Sequence, residues 1–120
     1  MRWQGLESRV SRDRTISRFA QYATFRCLIA VDKTEWIIAM TDGVMAPPSQ
    51  GPFVMPQCDF ALSGSAFAWD RFSGVRVAPG DQDLFAFFRR GEMALTGDTR
   101  KFYAYLFVLK MILARLRDVE

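Results

Sequence analysis

The spacing of apolar and polar positions changes along this chain, and the change separates strands from helices. From Phe25 to Val31 the order Phe-Arg-Cys-Leu-Ile-Ala-Val is rich in strand formers and places Phe25, Cys27, Ile29 and Val31 on one face. The polar run Asp32–Glu35 predicts a turn and Trp36–Thr41 a second strand, so the two form a hairpin. Asp42-Gly43 signals another turn before the short apolar piece Val44–Ala46. Pro47 to Pro56 holds four prolines and a glycine, which suits a loop or an irregular sheet edge. Alternation returns at Cys58–Leu62, which predicts a half-buried strand.

Helical spacing dominates the second half. Ser65 is placed to cap a short helix, Ala66 to Phe72, that Gly74 closes, with Phe67, Trp69 and Phe72 on its apolar side. After a loop from Val75 to Gly80, Asp81 is expected to cap a helix from Gln82 to Arg90. Arg89 and Arg90 suit its negative C-terminal end, and Gly91 stops it. Within that helix Leu84-Phe85-Ala86-Phe87-Phe88 leaves almost no polar face, so protein or ligand must cover it on every side. Glu92–Thr96 predicts a last strand. Asp98 then caps the longest helix, to about Arg117, in which Phe102, Tyr105, Leu106, Leu109, Ile112, Leu113 and Leu116 keep helical spacing.

This order lacks βαβ alternation, so the fold class expected is α+β, with helices packed on one side of a mainly antiparallel sheet. Residues 1–15 read as a weakly structured basic extension and 16–120 as the domain proper. A chain of 120 residues suits one hydrophobic core.

Composition narrows the function. Half the residues are hydrophobic and 24% are charged, which excludes a disordered chain. Eleven phenylalanines supply large apolar area without a polar handle, as either a dense core or a greasy cavity requires. The net charge of +3 is lopsided: six arginines precede Cys27, against Glu7 and Asp13 alone. Such a run is commonly just solvated, but it also suits transient contact with an anionic membrane surface. A nucleic-acid partner is not expected, because the aromatics cluster with aliphatics instead of interleaving with basic residues. Cys27 and Cys58 fall in predicted strands without a CxxC pattern, which reads as reduced core thiols and a cytoplasmic location. Met1–Ser17 is polar and arginine-rich, unlike a signal peptide, and no apolar window is long enough to span a membrane.

The chain has no histidine, which removes the usual triad base, the commonest metal ligand and the usual proton shuttle near neutral pH. No nucleophile has a base beside it, and the glycines punctuate elements instead of forming a phosphate loop. Asp81 and Asp83 read as capping residues at a helix start, and Asp59 and Asp98 as surface or cap residues. A non-enzyme without cofactor or metal is therefore expected.

The stretch from Cys58 to Arg117 resembles the sterol carrier protein 2 family. The resemblance rests on the strand Asp59-Phe60-Ala61-Leu62, the aromatic helix Phe67–Phe72 with Gly74, and the strand motif Gly91-Glu92-Met93-Ala94-Leu95-Thr96-Gly97-Asp98 between two helices. The hairpin Phe25–Thr41 fits the family's first strands, whereas residues 1–15 show no counterpart of its long first helix. The resemblance implies a mainly antiparallel five-stranded sheet covered by helices, with an apolar tunnel between them. Family members bind sterols, fatty acids or fatty acyl-CoA, and some occur as domains appended to enzymes. The function implied is non-catalytic binding or transfer of a lipid-like small molecule.

On that resemblance and the apolar helices together, the expected tunnel lining is Phe67, Trp69 and Phe72 from the short helix and Leu84 and Phe88 from the next. Met93 would join from the last strand, and Phe102, Leu106, Leu109 and Leu113 from the terminal helix. Arg71, Arg76 and Arg89 are candidates to meet a carboxylate or phosphate headgroup. The competing reading is an accessory or dimerisation domain, as a homodimer or attached to a larger enzyme, whose apolar surface meets protein.

Overall fold

A computed structural model describes residues 2–54, 56–73 and 83–117. Strands β1 (Phe25–Val31) and β2 (Thr34–Thr41) form the predicted hairpin. Pairing runs from Phe25 opposite Met40 to Val31 opposite Thr34, so the turn is Asp32-Lys33 alone and β2 starts earlier than expected. Asp32 takes a φ of 53°, a left-handed conformation that aspartate tolerates better than most residues. At the second turn Thr41 pairs with Val44 across Asp42-Gly43, both with positive φ. A side chain at Gly43 would also meet the Ala20 and Gln21 carbonyl oxygens at 2.7 Å, so the position needs glycine twice over.

The short strands β3 (Val44–Met45) and β4 (Ser49–Gln50) both pair with β2, and β5 (Phe60–Gly64) and β6 (Met93–Gly97) complete the sheet. The order is β3-β2-β1-β5-β6, six strands with β4 beside β2. Pairing is antiparallel except between β1 and β5, which run parallel from Cys27 opposite Phe60 to Val31 opposite Gly64. That register aligns Cys27, Ile29, Phe60 and Leu62, all buried, on the face that the helices cover.

Residues 2–15, the described part of the extension expected to be weakly structured, are ordered. Leu6–Arg12 forms helix α1 and Arg14–Phe19 forms α2. Asp13 joins them: it ends α1, and its side chain caps α2 by accepting from the backbone of Thr15 (2.9 Å) and Ile16 (3.2 Å). Trp3, Leu6, Val10 and Ile16 are buried in the same core as the sheet. Trp3 stacks on Trp36 of β2 with ring centroids 4.7 Å apart. Arg9 donates to the Arg115 carbonyl at 2.8 Å and to that of Arg2, and the Arg2 amide donates to the Leu116 carbonyl. Part of the basic run thus ties the two ends of the described chain together.

Helix α3 (Ala66–Ser73) begins as expected, with Ser65 Oγ accepting from the Ala68 amide at 3.0 Å. Helix α4 (Leu84–Arg89) is capped by Asp83, which accepts from the Phe85 amide at 3.1 Å. The expected cap Asp81, the helix start Gln82, Gly74 and the Val75–Gly80 loop lie outside the described residues. The single terminal helix expected from Asp98 is instead α5 (Thr99–Ala104) and α6 (Leu106–Ala114), followed by a 3-10 turn, Arg115–Arg117. The break falls at Tyr105 (φ −107°, ψ 11°), whose ring stacks on Phe25 at 5.1 Å. Tertiary contact overrides helical spacing there. Asp98 caps α5 by accepting from the Lys101 amide at 3.1 Å. Cys58 and Asp59 precede β5 instead of opening it, and the Asp59 carboxylate accepts from the Arg26 amide at 2.8 Å and pairs with Lys101 at 3.1 Å.

Candidate functional site

Helices α3, α4, α5 and α6 bring most of the expected lining residues together. Trp69, Leu84, Phe102, Leu109 and Leu113 are fully buried, and Phe72 and Met93 nearly so. Phe88 and Leu106 are half-buried at the edge of the cluster. Phe67 is separate: it points outward and is 71% exposed.

The cluster is held by ring contacts. Trp69 meets Phe72 edge-on at 5.9 Å, Phe72 meets Phe87 at 6.0 Å, and Phe102 meets Phe60 at 5.4 Å. Trp69 Nε1 donates to the Ala30 carbonyl at 3.1 Å, which joins α3 to β1. The nearly all-apolar helix α4 is covered largely by protein: Leu84, Ala86 and Phe87 are buried, while Phe85 and Phe88 lean on Phe102.

An apolar opening of about 260 Å³ lies between α3 and α6, lined by Phe72, Phe107, Lys110, Met111, Ala114 and Arg117. Five of these recur three or four positions apart along one face of α6 and the turn after it. Phe107 is 61% exposed and meets Phe19 of α2 edge-on at 5.0 Å, so apolar surface continues from the opening towards the N-terminal helices.

Two cations flank the opening. Arg117 Nε donates to the Phe72 carbonyl at 2.7 Å, and its guanidinium lies 4.6 Å from the Phe72 ring centre. Burial lowers its pKa from the usual arginine value. Lys110 pairs with Asp83 at 3.6 Å and approaches the Phe85 ring. An apolar slot edged by cations suits an amphiphile with an anionic head. Sequence reasoning passed over Lys110 and Arg117. The signal was their seven-residue separation on a helix whose other positions are nearly all apolar.

The arginines expected to meet a headgroup stand elsewhere. Arg71 forms an ion pair with Glu92 and lies between the rings of Phe67 (5.5 Å) and Phe87 (5.3 Å). Glu92 also pairs with Arg90, and hydrogen bonds from Arg90 and then Arg71 hold its carboxyl below the usual range. Arg89 is exposed at the end of α4, and Arg76 lies outside the described residues.

The reactive side chains that remain are muted. Burial pushes the Cys27 thiol well above its ordinary pKa, with Cys58 and Asp59 adding to the shift, and burial also raises Cys58. Among the described residues, no three or more of the metal-ligating types gather closely enough to hold an ion. None of the described helices is long and apolar enough to cross a membrane.

No protein-family model matches the chain, and no curated protein matches it by sequence. Solved structures do match. A crystal structure of sterol carrier protein 2 superposes with a TM-score of 0.77 at 13% identity, over 98% of this chain and 95% of that one. A solution structure of palmitated SCP2L2 from Aedes aegypti gives 0.55 at 19%, over 89% of this chain and 86% of that one. The stereoselective inverting sec-alkylsulfatase Pisa1 from Pseudomonas sp. gives 0.58 at 16%, over 77% of this chain but 14% of the enzyme. The fold is that of sterol carrier protein 2, a mixed sheet and helix layer shared over nearly the whole chain.

Proposed function

We propose that this chain binds a single-chain lipid with an acidic head, a fatty acid or its coenzyme A thioester, and carries it without changing it. The observation that supports this reading most directly is the apolar opening between α3 and α6, edged by Lys110 and Arg117. Phe72 at its wall packs on buried Trp69 and Phe87, and the one polar group of that trio, the indole N–H, is already met by the Ala30 carbonyl. The lipid chain enters at this opening and parts α6 from α3 and α4, where Phe88 and Leu106 are only half-buried. That parting forms the tunnel. Each methylene taken from water contributes about 0.8 kcal/mol, so a long acyl chain can offset the contacts it displaces. The palmitate carried by a neighbour of the same fold supports this ligand class. Lys110 and Arg117 meet the carboxylate, and the exposed Arg12, Arg14 and Arg18 with Phe19 and Tyr22 bring the opening to an anionic membrane.

The test is displacement of a fluorescent fatty acid from variants that narrow the opening, at Ala114, or the proposed parting behind it, at Leu106. Ala114→Trp and Leu106→Trp should each weaken uptake at least tenfold while far-UV circular dichroism stays unchanged. Uptake equal to that of the unaltered chain in both folded variants would contradict the proposed route.

A second reading, an accessory domain that meets another protein, draws on the outward-facing Phe67, Tyr103 and Phe107 and on the sulfatase match. It requires association in sedimentation and no uptake of lipid.

A further inference from the structure

The two cations at the opening between α3 and α6 are held differently. Arg117 donates to a neutral carbonyl, that of Phe72, whereas Lys110 is paired with a carboxylate, Asp83, at 3.6 Å. Asp83 belongs to another element. It precedes α4, and the same oxygen, Oδ1, caps that helix by accepting from the Phe85 amide at 3.1 Å. The Lys110 ammonium also lies 5.9 Å from the Phe85 ring centre. The pair therefore fastens the middle of α6 to the start of α4, across the seam that an entering acyl chain has to part.

At 3.6 Å the contact has little room to stretch, and any parting of α6 from α4 wide enough for hydrocarbon breaks it. A lipid with a neutral head then leaves Lys110 and Asp83 both without their contact. An ionised head restores it by taking the place of Asp83 on Lys110, so that one carboxylate is exchanged for another. We propose, on the lipid-binding reading above, that Asp83 is a positioning residue for head-group selection. It latches the opening through Lys110, and an anionic head compensates for the release where a neutral head does not. Lys110 and Asp83 are 40% and 48% exposed, so the latch is a light one that a ligand can displace.

The test is calorimetric titration with decanoate and, separately, with 1-decanol, which has the same chain and an uncharged head. Asparagine caps a helix as well as aspartate does, so Asp83→Asn removes the ion pair and leaves α4 capped. It should strengthen binding of both ligands about two- to fivefold, the worth of a half-exposed ion pair, and keep the preference for decanoate. Lys110→Gln should strengthen decanol binding by the same factor but cut the preference for decanoate. Combining the two substitutions should add nothing further for decanol, because both break one pair. Decanol binding unchanged in either single variant, or raised again in the double variant, would overturn the latch while leaving lipid binding in place. An unaltered chain that binds neither ligand would overturn the lipid reading itself, and the latch with it.

Discussion

Cys27 and Cys58 lie close enough to influence each other, yet burial rather than pairing dominates the chemistry of both. Both thiols stay protonated at neutral pH, and the thiolate is the reactive form. A thiol-labelling time course on the folded chain should therefore be slow, with half-buried Cys58 reacting first and Cys27 only when denaturant opens the core. Rapid labelling of Cys27 under native conditions would mean that β1 opens far more readily than its packing implies. Glu92 shows the opposite shift. Its carboxyl is held below the unfolded value by Arg90 and Arg71, so its contribution to stability is present above the ordinary carboxylate range. That contribution is lost as pH falls through the lowered folded value. Glu92→Gln should flatten this part of the acid limb in pH-dependent unfolding, with little effect near pH 7 beyond the loss of surface ion pairs. At this scale, caps such as Ser65 and Asp98 were legible because a cap acts on its own next few residues. The role of Arg71 was not, because its partner Glu92 lies twenty-one positions away.

Among the elements, β1 was readable because Phe25, Cys27 and Ile29 bury one face, and β2 and β6 from runs of strand formers between turn residues. Helix α1 was hidden by its arginines. Trp3, Leu6 and Val10 do recur at helical spacing, but only across two turns, and Arg9 spends its donors on backbone carbonyls that no local pattern reveals. The break at Tyr105 was likewise invisible, because it depends on Phe25, eighty positions earlier. If α1 belongs to the core, Leu6→Ala should cost about 2–5 kcal/mol, the usual penalty for emptying a fully buried leucine site. Urea unfolding would show this as a lower midpoint at similar slope. A midpoint unchanged from the parent would return α1 to the status of a loose arm.

For the molecule as a whole, the order of elements conveyed the α+β architecture, and the strand motif Gly91–Asp98 between helices pointed to the fold that the solved structures share. The opening between α3 and α6 was harder to read. Phe107, Met111 and Ala114 sit on the side of the terminal helix turned away from the main stripe, and only the docking of α3 makes that side concave. The apolar excess of α4, which the sequence left to be covered by protein or by ligand, is largely absorbed by Phe72, Phe102 and Tyr103. Lipid uptake therefore requires these layers to separate. Native mass spectrometry of the chain titrated with palmitate tests that requirement most directly. A single saturable adduct per chain, strongly reduced in Ala114→Trp, is the result predicted. No adduct, or several non-saturating adducts equally abundant in the variant, would contradict lipid binding at this opening.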